Sequence, residues 1–269
     1  MDSFLGLPRK FSKARLDLEL LATPLAGRAI RGTDDIVQID IATRNKSAQR
    51  FRLYPGAAEN RIEVLGADAP RRQLVLFIDE PRRRFEVSVR KNVPLAPATR
   101  VLRETATARV VEQFTTGRKR HFLCGMDEQH LFIAELPEGA SSTHGAREAL
   151  RNPGVPSSLK LRGEAIVRQG EWFFVPLSTA ERALVEALAA RGGVVRQSGI
   201  AQAAHIPRAG RPHVADEIVL RSWERGLPDV FVRGEIRHPD HQTVILREFR
   251  RALPNRERFD RPEGVFWVD

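Results

Sequence analysis

With 269 residues, 42% of them hydrophobic, the chain can bury one large core or two ordinary ones, which excludes a disordered protein. Apolar runs such as Leu74 to Ile78 are far too short to span a bilayer, no secretory leader opens the sequence, and the single cysteine, Cys124, excludes an intramolecular disulfide and a multi-cysteine zinc site; a soluble, cytoplasmic protein is expected. The net charge of +10 implies an anionic partner for the first part of the chain, because residues 1–162 hold 28 Lys+Arg against 19 Asp+Glu whereas residues 163–269 hold 16 against 15.

Residues 1–13 show no sustained period and read as a basic lead-in. Alternation then begins: Leu16, Leu18 and Leu20 share one face, as do Val37, Ile39 and Ile41, and later Phe85, Val87 and Val89. Shorter strands are expected at Arg50 to Tyr54, Arg61 to Leu65 and Leu74 to Ile78. Turn signals separate them at Arg31 to Asp34, Tyr54 to Gly56, Leu65 to Asp68 and Asp79 to Pro81. Six strands with no helix between them predict an antiparallel β-sandwich over residues 14–104.

Beyond Val93-Pro94-Leu95-Ala96-Pro97 the spacing predicts a strand from Ala108 to Phe114, a basic turn at Gly117 to Arg120, and a hairpin from His121 to Ala134. Its polar connection is Gly125 to Gln129. Ser142 or Thr143 caps a short helix through Leu150, so residues 105–151 form a hairpin-and-helix unit, and the proline-marked stretch 152–162 reads as a linker. Residues 163–269 read as a mixed α+β domain: a buried strand from Trp172 to Val175, a helix opened by the capping box Ser178 to Glu181 and stopped by Gly192-Gly193, and strands at Val230 to Ile236, Thr243 to Leu246 and Val265 to Val268. The fold class expected is therefore mainly β with some α.

His238-Pro239-Asp240-His241 has the composition of a tight turn, in which proline pre-sets φ and the first and fourth residues come close. With His213, and Asp216 or Glu217 as a further ligand or as base, the two imidazoles match the nitrogen and oxygen set that Zn²⁺, Mn²⁺ or Fe²⁺ takes. The competing reading is a polar surface turn. His121, Cys124 and His130 contain the groups of a thiolate–imidazole pair, but positions 121 and 124 of a strand face opposite sides, and a cysteine in an apolar strand is more often core. Trp172, Phe173 and Phe174 alternate along a strand, which favours core packing over a base-stacking platform. Ala180 to Arg191 followed by Val194 to Ala201 has the spacing of the first two helices of a winged helix, yet Pro207, Gly210 and Pro212 occupy the place of its recognition helix.

Arg71, Arg72, Arg82, Arg83, Arg84, Arg118, Lys119 and Arg120 fall in expected turns and strand ends, where they either line a phosphate-binding rim or form ordinary solvated loops. At Arg168-Gln169-Gly170-Glu171, Gly210-Arg211-Pro212-His213, His238-Pro239-Asp240-His241 and the His121 to Ala134 hairpin the chain resembles a set of bacterial proteins with no assigned activity. The resemblance implies that these elements form one unit and implies no function. The first functional expectation is a nucleic-acid-associated protein, with DNA or RNA held by those basic residues. A metal-dependent hydrolase built on His213, His238 and His241 with Glu217 as base is the second, and a structural or assembly subunit with a protein partner the third.

Overall fold

The computed structural model describes residues 4–25, 35–43, 49–97, 99–114, 117–156, 158, 160–161, 164–206, 211–223 and 226–257. The turn expected at 31–34 and the strand expected at 265–268 lie outside them. In chain order the first part runs α1 (Leu7–Ser12), β1 (Leu18–Leu20), β2 (Gln38–Thr43), β3 (Gln49–Tyr54), β4 (Arg61–Asp68), β5 (Gln73–Glu80), β6 (Arg84–Arg90), β7 (Val101–Glu104), β8 (Ala108–Phe114), β9 (Arg118–Asp127), β10 (His130–Glu135) and α2 (Thr143–Leu150). The rest runs β11 (Lys160–Leu161), β12 (Glu164–Ala165), β13 (Val167–Gln169), β14 (Trp172–Pro176), α3 (Thr179–Ala190), β15 (Val194–Gly199), α4 (Ile200–Ala203), β16 (Val214–Arg221), β17 (Asp229–His238) and β18 (His241–Pro254). The protein is mainly β, and no described helix is long and apolar enough to cross a membrane.

In the first part a three-stranded sheet, β1-β3-β2, faces a four-stranded sheet, β10-β9-β5-β4, across one core. The continuous apolar run in β5 follows from its central place between β4 and β9. Leu74, Leu76 and Ile78 point with Phe122 and Cys124 into the shared core, while Val75 points with Leu123 and Ala134 to the other side, under α2. Cys124 is fully buried there and its thiol is pushed up by desolvation, so it is packing rather than a nucleophile.

The expected antiparallel sandwich of six strands is corrected in that β1 pairs parallel with β3 and β6 leaves it for a separate sheet with β7 and β8, and four local expectations are corrected as well. The lead-in contains α1, whose Leu7 and Phe11 are buried, and six residues are too few to show a helical period. Arg118 to Arg120 open β9 instead of forming a turn, because the strand pairs with β5 as far as Glu80. In the β9–β10 hairpin Asp127 pairs with His130, leaving only Glu128 and Gln129 as connection. Residues 194–199, spaced like the second helix of a winged helix, are the strand β15. The β5–β9 pairing also joins residues on both sides of position 104 in one sheet, and the proline-marked stretch is held at Asn152, which donates to the Pro254 carbonyl at 2.9 Å.

The second part is a six-stranded antiparallel sheet, β13-β14-β18-β17-β16-β15. Trp172 and Phe174 pack on the α4 side, and Val219, Phe231 and Phe249 pack on the α3 side. Helix α3 starts with the expected capping box, in which the Ser178 hydroxyl accepts from the Glu181 amide and the Glu181 carboxylate accepts from the Ser178 amide at 2.9 Å. We expect Ser178→Ala to lower the unfolding free energy by about 1 kcal/mol in urea titrations.

Candidate metal centre

Two hairpins and one strand entry build the site. Strands β17 and β18 are joined by the two-residue loop Pro239–Asp240, and His238 and His241 are the pair that closes it. Directly opposite residues of an antiparallel ladder project to the same face, so both imidazoles emerge side by side. Strands β13 and β14 are joined by the loop Gly170–Glu171, closed by the pair Gln169 and Trp172. The buried Gln169 amide donates to the carbonyls of Ile236 at 3.1 Å and Gln242 at 2.6 Å, which ties this loop to both strands of the histidine hairpin. His213 precedes β16 and is anchored through its carbonyl, which accepts from the Ile200 amide at 2.9 Å.

The three rings cluster, with their planes 19°, 24° and 35° from one another. Their centroids lie 4.2 Å apart for His213 and His238, 4.9 Å for His238 and His241, and 5.5 Å for His213 and His241. One ring nitrogen from each lies within 4.8 Å of the others. Three nitrogens about 2.0–2.1 Å from one tetrahedral Zn²⁺ are about 3.4 Å apart and each ring plane must contain the ion, so loading has to turn these stacked rings about their side-chain bonds as well as draw the nitrogens together. Gly170 has φ +55°, and a Cβ there would lie 2.7 Å from His241 Nε2 and 3.1 Å from His213 Nε2. The glycine leaves open a space that both Nε2 atoms border.

Carboxylates lie behind the rings. Glu171 Oε1 is 3.4 Å from His213 Nδ1 and Glu128 Oε1 is 3.9 Å from His241 Nδ1, distances of ion-pair range without a directed hydrogen bond. Glu128 is fixed by accepting from the Gln242 amide at 2.8 Å. Carboxylates on the Nδ1 side favour the tautomer that turns the Nε2 lone pair forward. His213 is only 3% exposed, yet both its ring nitrogens are buried without a hydrogen-bond partner. His238 differs: its Nδ1 accepts from the Asp240 amide at 3.2 Å, which leaves Nε2 protonated toward the Arg211 carbonyl at 3.2 Å. Coordination through Nδ1 exchanges the Asp240 bond for a metal bond, whereas coordination through Nε2 needs the other tautomer and gives up both.

Burial, followed by the neighbouring His213 and His241, pushes the His238 imidazole down to about 4. Burial, followed by His213, also lowers His241, against the opposing pull of Asp127, Glu128 and Glu171. Both rings are held in the neutral form that ligates. An unfolded histidine takes its proton near 6.5, before these folded ones do, so their stabilisation is complete above that pH and is lost as pH falls toward 4. We expect the metal-free protein to lose thermal stability over that window, and His238→Gln to lose less.

Asp216 and Glu217, the acids expected beside the histidines, lie elsewhere. Glu217 is held by Arg233 at 2.7 Å and Arg196 at 2.8 Å, and Asp216 by Arg237 and Gln197, each at 2.7 Å. Glu171 and Glu128 take their place near the rings. His130 pairs at 3.9 Å with Asp240 and is not part of the imidazole cluster, and His121 bonds to Ala140.

Most of the eight basic residues already have protein partners. Arg71 pairs with Asp68, Arg72 donates to the Arg15 carbonyl, Arg82 stacks on Phe114, and Arg83 donates to the Asp35 carbonyl. Arg84 pairs with Glu112, Arg118 lies opposite Glu80 in the sheet, and Lys119 pairs with Asp79. Arg120 is 5% exposed and pairs with Glu80 at 2.7 Å, so it belongs to the interior and not to a phosphate-facing rim. The geometry defines a candidate three-imidazole metal centre on a β-hairpin face. No family of known proteins, no curated protein and no solved structure matches the chain.

Proposed function

We propose that the chain is a metal-dependent protein that holds a divalent first-row ion, Zn²⁺, Mn²⁺ or Fe²⁺, on His213, His238 and His241. The observation that carries this reading is His213, whose two buried ring nitrogens have no hydrogen-bond partner although leaving such groups unpaired costs about 1–3 kcal/mol each. A cation within reach of two further neutral imidazoles, with Glu171 and Glu128 behind them, answers that cost. Three protein ligands leave a coordination position for water, the arrangement that hydrolytic metal sites use.

The test is metal analysis of protein loaded with Zn²⁺ and desalted: one equivalent is expected, and substoichiometric metal for every ion offered would contradict the reading. Glu171→Gln and Glu128→Gln each remove a negative partner behind a ring. We expect them to weaken Zn²⁺ affinity about 10–100-fold in chelator competition while leaving the stoichiometry at one.

A further inference from the structure

We propose that residues 81–117 form an arm that binds single-stranded nucleic acid, an inference independent of the metal centre. Strands β5 and β9 pair up to Glu80 and Arg118, so the whole arm is an excursion from the end of one strand pair. Its strands form a sheet of their own, β6-β8-β7, and none of its described residues belongs to the hydrophobic cores. Val111 is the only fully enclosed residue among the three strands.

The arm holds eight Lys+Arg against three Asp+Glu, a net +5 that is half the charge of the chain. All three acids are already engaged: Glu86 by Arg103 at 2.8 Å, Glu104 by Lys91 at 3.0 Å, and Glu112 by Arg84 at 2.5 Å with Arg100 at 4.0 Å. Arg83 turns inward to the Asp35 carbonyl at 3.0 Å and Arg109 to the Lys91 and Val93 carbonyls, so the outward charge is carried by the exposed Arg90 and Arg100 and by Arg82, stacked on Phe114 at 4.3 Å. The register puts Phe85, Val87, Val89, Val101 and Val111 on one face, where Phe85 is 38% and Val101 42% exposed.

The centre of this face is closed over Val111, but its rim leaves Phe85 and Val101 to solvent, and a charged, single-layer sheet with an apolar rim calls for a partner. A second copy would bring +5 against +5, whereas a polyanion neutralises it. Arg84 and Arg90 share one face with the exposed Phe114, while Phe85 and Val101 rim the other, and aromatic rings beside arginines suit unpaired bases, whose flat faces a duplex does not present. The sequence did not single out Arg90, Lys91, Arg100, Arg103 or Arg109, because only the pairing of β6, β7 and β8 gathers them.

The test is fluorescence anisotropy of the full chain with labelled 15-nucleotide oligouridylate and oligothymidylate between 50 and 200 mM salt. We expect binding that weakens by more than tenfold over that range, as phosphate contacts dictate. Arg90→Glu with Arg100→Glu should weaken it at least tenfold and flatten the salt dependence, and Arg90→Gln with Arg100→Gln should do the same to a smaller degree. Phe85→Ala should weaken it about tenfold with the salt slope unchanged. All three variants alter exposed side chains, and circular dichroism confirms that they fold. Absence of binding at 50 mM salt, affinity untouched by the arm variants, or equal affinity for a duplex of the same length would overturn the proposal. So would light scattering that shows a dimer which the arm variants dissociate.

Discussion

His238→Ala combined with His241→Ala is expected to abolish stoichiometric zinc while leaving the fold intact. Two of the three converging nitrogens disappear, and a lone His213 with nearby carboxylates is a poor site. Zinc bound to a full protein ligand set contributes about 10–16 kcal/mol, or roughly 3–4 kcal/mol for each ligand, so each single alanine should weaken binding about 10²–10³-fold. Chelator competition monitored by absorbance reads that ladder. The hairpin itself should persist, because it is held by the β17–β18 ladder and by Gln169 rather than by the imidazoles. A double variant that retained one equivalent of zinc would place the metal elsewhere.

Gly170→Ala is the second large effect, and it separates the open space from the ligands. At φ +55° an alanine costs about 1–2 kcal/mol from backbone strain alone. Its methyl group would also sit 2.7 Å from His241 Nε2 and 3.1 Å from His213 Nε2, closing the space those nitrogens border. We expect a lower melting temperature together with loss of metal binding, although every histidine remains. A variant that is destabilised yet binds zinc normally would show that the glycine serves only the turn.

What the sequence made legible follows from local periodicity. Alternation located β1, β2 and β6, short stretches between turn signals located β3 to β5, the proline turn brought His238 and His241 together, and the capping box opened α3. His213 could be named as third ligand, but nothing local tied it to the turn. Glu171 and Glu128 were missed because they reach the rings by way of two other hairpins, and sequence spacing carries no signal of that approach. Asp216 and Glu217 were misplaced for the converse reason. Nearness to His213 in sequence favoured them, while the bulged pairing of β16 with β17 delivers them to Arg237 and Arg233. The Gly170 signal was present in the motif, but its purpose emerges only when two imidazoles are seen against the missing side chain.

X-ray absorption at the zinc edge of the loaded protein tests the central claim most directly. The account predicts a first shell at about 2.0–2.1 Å composed of nitrogen and oxygen, with multiple-scattering features of three imidazoles that fall away in the His238→Ala, His241→Ala variant. A shell of oxygen alone, a sulfur contribution from Cys124, or a spectrum that the histidine substitutions leave unchanged would contradict it.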